Sequence, residues 1–116
     1  MRAIIVTLPK FLRDIITTLA EARLPLNIVA EFDRRHDVAA ALEVLAPDMI
    51  VVGLRAGETD DVARDILARI PGARVIGISD GGRNAYVHEM GASRTVLLDV
   101  SAEALAAAIV APMPKI

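Results

Sequence analysis

Apolar blocks alternate along the chain with amphipathic stretches, and the alternation predicts five strand-helix units. Residues 2–7, with β-branched Ile4, Ile5 and Val6, predict a first strand, and Pro9 stands where a helix opens. Phe11, Leu12, Ile15, Ile16 and Leu19 recur at helical spacing, opposite Lys10, Arg13, Asp14, Thr17 and Glu21, until Pro25 bars continuation. A second strand at about 26–31 carries Ile28 and Val29, and a helix at about 36–45 has Val38, Ala41, Leu42 and Leu45 as its buried stripe. Pro47-Asp48 leads into Met49 to Val52, an unbroken apolar run suited to a central strand buried on both faces, with Gly53 at its carboxyl end. Thr59 or Asp60 can cap a third helix that buries Val62, Ile66, Leu67 and Ile70 and stops at Pro71-Gly72. Residues 74–79 predict a fourth strand. Ser79-Asp80-Gly81-Gly82 predicts a turn into a short fourth helix ending near Gly91. Thr95–Leu98 predict a fifth strand, and Ser101 caps a last helix through Leu105, Ala108 and Ile109 to Pro112.

Strand alternating with helix implies right-handed crossovers. The predicted fold is α/β, a doubly wound five-stranded parallel sheet in the order 2-1-3-4-5 with helices on both faces, forming one domain over residues 1–116. In this topology the functional crevice lies between the carboxyl ends of strands one and three, flanked here by Thr7 and Gly53.

Composition narrows the function classes. The chain is 54% apolar with two Phe, one Tyr and no Trp, which indicates an aliphatic core. A net charge of −2 supplies no field to concentrate nucleic acid or anionic membrane, so direct nucleic-acid binding by this segment is not expected. No cysteine is present, which removes disulfides and thiolate sites and fits a reducing cytoplasm. The longest nearly continuous apolar run, Leu105 to Met113, is shorter than the roughly 18 residues that span a bilayer. The opening Met-Arg-Ala-Ile-Ile-Val-Thr is too short for a secretory signal, so cytoplasmic residence is expected. His36 and His88 have no partner at metal-ligand spacing, Asp60-Asp61 reads as helix-opening charge, and Arg34-Arg35-His36 as a solvated loop. Neither a Ser-His-Asp order nor a glycine-rich nucleotide motif occurs, so no enzyme, metal or cofactor is expected.

The order of pieces resembles the receiver domains of two-component response regulators over nearly the whole chain. Pro47-Asp48 before Ile-Val-Val-x-Leu is similar to that family's third strand, and Arg74-Val75-Ile76-Gly77-Ile78-Ser79 to its fourth. Gly91-Ala92 and Ser101-Ala102-Glu103-Ala104-Leu105 are similar to its final third. Val29-Ala30-Glu31 and the Gly-Ala to Ser-x-Glu-x-Leu spacing resemble the NarL-type subgroup, whose members usually carry a LuxR-type DNA-binding domain. The resemblance implies a flavodoxin-like, receiver-like fold and a chemistry in which an aspartate takes up a phosphoryl group beside Mg²⁺, a hydroxyl and a lysine.

Matched position by position, that chemistry is absent. The phosphorylated aspartate matches Gly53, the metal-binding acidic pair matches Thr7 and Leu8, and the lysine matches Leu98. Only the hydroxyl persists, as Ser79, and the aromatic switch position matches Thr95. Losing nucleophile, metal site and lysine together removes both the covalent step and its charge compensation. Asp48 would stand at the wrong end of its strand to substitute, and Asp99 follows the lysine position.

The expected function is that of a degenerate, phosphorylation-independent pseudo-receiver acting by protein contact, as a dimer or with a partner. It is either a free-standing adaptor or the regulatory part of a LuxR-type regulator, with Pro112-Met-Pro-Lys-Ile as a helix stop entering a linker. In the family the interface often uses the fourth helix, fifth strand and fifth helix, a region that here contains Tyr86, Val87, Met90, Ala104, Ala107, Ala108 and Val110. The alternative is a small-ligand sensor using a crevice of Thr7, Arg55, Ser79, Asp80 and Asp99. Ser79-Asp80-Gly81-Gly82 could also offer N–H groups to an anion at a helix start, against the plainer reading of a turn.

Overall fold

The structure is a computed structural model that describes residues 2–22, 27–33, 38–55, 58, 60–70, 72–79, 84–89 and 95–97. The chain runs β1 (Arg2–Val6), α1 (Lys10–Ala22), β2 (Asn27–Phe32), α2 (Val38–Leu45), β3 (Met49–Gly53), α3 (Asp60–Arg69), β4 (Arg74–Ile78), β5 (Ala85–Glu89) and β6 (Thr95–Leu97). The last predicted helix, from Ser101 to Pro112, lies outside the described residues, as do Arg34, Arg35 and His36. Among the described residues no helix is long and apolar enough to cross a membrane.

One sheet holds all six strands in the order β2-β1-β3-β4-β5-β6. Strands β1 to β4 are mutually parallel, with β1 in register against β3 from Ala3↔Met49 to Val6↔Val52. The α/β class, the helices on both faces and the 2-1-3-4 progression of the first four strands follow the sequence pattern.

Two expectations fail at the fifth position. The segment predicted as a short fourth helix is β5, antiparallel to β4, and the strand predicted to lie beside β4 is β6, paired with β5 instead. Among the described residues the sheet is therefore mostly parallel rather than wholly parallel, with six strands. The physical reason lies in period and turn. Ala85 and Val87 enter one core cluster while Tyr86 packs on the other, a two-residue alternation over too few residues for a helical period to compete. In sequence the Gly81-Gly82 pair falls between β4 and β5, where turn residues signal a hairpin.

The alternation of strand side chains divides the core in two. On one face Ala3, Ile5, Met49, Val51, Ile76 and Ile78 meet Leu12, Ile16 and Leu19 of α1. On the other, Ile4, Val6, Ile50, Val52 and Val75 meet Val38 and Leu42 of α2 and Ala63, Ile66 and Leu67 of α3. Every residue of β3 is buried, as its unbroken apolar run requires. Phe11 departs from its expected stripe: it is 55% exposed, because it sits one residue, about 100° of helix rotation, from Leu12.

The amino-terminal edge of the sheet is held by Asp48. Its carboxylate Oδ2 accepts the Arg2 N–H at 2.8 Å, its own N–H donates to the Arg2 carbonyl at 2.8 Å, and its carbonyl accepts the Arg74 N–H at 3.0 Å. Asp48 thus ties the starts of β1, β3 and β4 together, at the end of the sheet away from the predicted crevice.

Candidate functional site

At the opposite edge the chain leaves β1, β3 and β4 within a few residues of one another. The exits are Thr7, Gly53 to Arg55, and Ser79. Parallel strands in the order 1-3-4 necessarily deliver their carboxyl ends side by side, and β1 and β3 lie on either side of the point where the winding direction reverses. Thr7, Pro9, Gly53, Leu54, Arg55, Ile78 and Ser79 line a depression of about 220 Å³ there.

Its geometry is set by Thr7, whose φ of 54° is in the left-handed region. That conformation is uncommon outside glycine and costly for a β-branched residue. It is held from three sides. The Thr7 N–H donates to the Phe32 carbonyl at 2.8 Å, and its hydroxyl donates to the Gly53 carbonyl at 3.0 Å. Its own carbonyl points at Gly53: a Cβ built on Gly53 would lie 3.0 Å from the Thr7 carbonyl carbon and would overlap the oxygen. The close approach therefore requires glycine at position 53.

Leu54 folds back beside β4. Its N–H donates to the Ile78 carbonyl at 2.7 Å, and its side chain covers Gly77, where a Cβ would come within 3.1 Å of Leu54 Cδ1. Arg55 is exposed, its N–H held by the Glu58 carboxylate and its carbonyl accepting the Glu58 N–H at 3.0 Å. Ser79 is committed to the β4–β5 hairpin. Its hydroxyl oxygen accepts the Asn84 N–H at 3.0 Å, while its N–H donates to the Asn84 carbonyl at 2.8 Å.

Of the residues expected to line a ligand crevice, Thr7, Arg55 and Ser79 do come together, whereas Asp80 and Asp99 lie outside the described residues. Leu8, at the position matching half of an acidic pair, is buried in the α1-side core. Leu98 lies outside the described residues, and Thr95 falls in β6, which is separated from β4 by β5. Among the described residues no carboxylate lines the depression. Among the described residues no group of three or more His, Cys, Asp or Glu could hold a metal. Because Asn84 leads into a strand, the anion reading of Ser79-Asp80-Gly81-Gly82 loses the helix start on which it depended.

The expected interface residues are divided as well. Val87 is buried in β5 and Tyr86 is half-buried on the other face, opposite Gly77 in the β4–β5 register. Met90, Ala104, Ala107, Ala108 and Val110 lie outside the described residues. Comparison of the chain with protein-family models, with curated proteins and with solved structures finds no match.

Sequence reasoning missed the Thr7 backbone. A threonine in left-handed conformation carries no sequence signal, and only a missing side chain at the end of a central strand hints at a close approach. The apolar part of the lining, Pro9, Leu54 and Ile78, reads in the sequence as a helix start and as strands.

Proposed function

We propose that this chain is a phosphorylation-independent, receiver-like module that acts by protein contact in cytoplasmic signalling, as an adaptor or as the regulatory part of a LuxR-type transcription regulator. The supporting observation is the closure of position 53 by the Thr7 carbonyl. A phosphoacceptor needs a nucleophilic side chain at that strand end, and here backbone fills the space it would occupy. The parallel β2-β1-β3-β4 core keeps the scaffold that the resemblance implies, while β5 moves β6 away from the crevice. A scaffold of this kind without the chemistry retains its surfaces for use. Incubation with acetyl phosphate and Mg²⁺ followed by intact-mass measurement should give no adduct, and light scattering should give a dimer. A stable phospho-adduct would overturn the reading, as would a strict monomer that captures no protein partner.

The depression of about 220 Å³ favours a second reading, a small-ligand sensor. It combines an apolar floor with the Thr7 and Ser79 hydroxyls and the Arg55 side chain at its edge, the mixture that small-molecule sites use. A thermal-shift screen against nucleotides and acidic metabolites tests it, and no shift with any of them counts against it.

A further inference from the structure

We draw no further inference here: the strongest candidate, the solvent-facing apolar patch of α2 where Val44 is 82% exposed and Ala40 is exposed one turn before it, carries nothing because nothing in the structure shows what covers it.

Discussion

The Thr7 carbonyl stands where a side chain on Gly53 would have to be. Two adjacent parallel strands end so close together that the backbone of one removes the option of a side chain on the other. Gly53→Ala should therefore destabilise the protein by about 1–3 kcal/mol, the usual cost of forcing extra atoms into a packed site. Gly53→Asp should cost at least as much and should not create a phosphoacceptor. Urea denaturation measures the first effect and intact mass after acetyl phosphate treatment the second. A Gly53→Ala variant as stable as wild type would show that the β1 exit can move aside.

Thr7 has opposing terms. Its left-handed backbone costs roughly 1–2 kcal/mol, and its hydroxyl returns part of that through the bond to the Gly53 carbonyl. Thr7→Val keeps the strain and the shape but loses the donor, so it should be less stable by about 1 kcal/mol. Thr7→Gly removes strain and hydrogen bond together while freeing the unfolded chain, and it should fall between Thr7→Val and wild type in urea midpoint.

Ser79 closes the β4–β5 hairpin through Asn84. In Ser79→Ala the Asn84 N–H loses its side-chain acceptor at an exposed position, where water compensates in part, so the cost should stay near 0.5–1 kcal/mol. Amide exchange gives the sharper readout: Asn84 should exchange faster while Val51, in the buried β3, keeps its protection.

How far the fold was legible depended on the length of each pattern. Met49 to Val52, with Pro47-Asp48 before and Gly53 after, identified the central strand because four buried apolar residues between turn signals fit few other elements. Leu12, Ile16 and Leu19 identified the buried face of α1 in the same way. Residues 84–89 were misread because six residues hold only three repeats of a strand period and fewer than two helical turns. At the candidate site, Thr7, Arg55 and Ser79 were legible as strand-end residues, since topology alone brings strand ends together. The reason for Gly53 was not, because a backbone-to-backbone approach is a property of the folded pair and leaves no mark beyond the glycine itself.

Asp48 gives a test at the other edge. Asp48→Ala removes the acceptor of the Arg2 N–H and should cost about 0.5–1.5 kcal/mol. Asp48→Asn keeps an oxygen in the same place and should cost less. Neither change should alter ligand or partner binding at the crevice edge, which lies at the far end of β3. A loss of binding with unchanged stability in Asp48→Asn would contradict the purely structural role.

Val87 discriminates between the strand and the helix that its sequence first suggests. In β5 it is 8% exposed and belongs to the core cluster of Ile76, Ile78 and Ala85. Truncation there removes two buried methyl groups and leaves a void, so Val87→Ala should lower stability by about 2 kcal/mol. Were the segment a helix on the surface, alanine would be the better residue and the same change would be neutral or slightly stabilising. The sign of the shift in urea midpoint thus decides between the two. Tyr86→Ala adds a check from the other face, since it removes a half-buried ring packed against the second core cluster and should also destabilise. Loss of stability in both variants requires side chains buried on alternating sides, which a helix of this length does not provide.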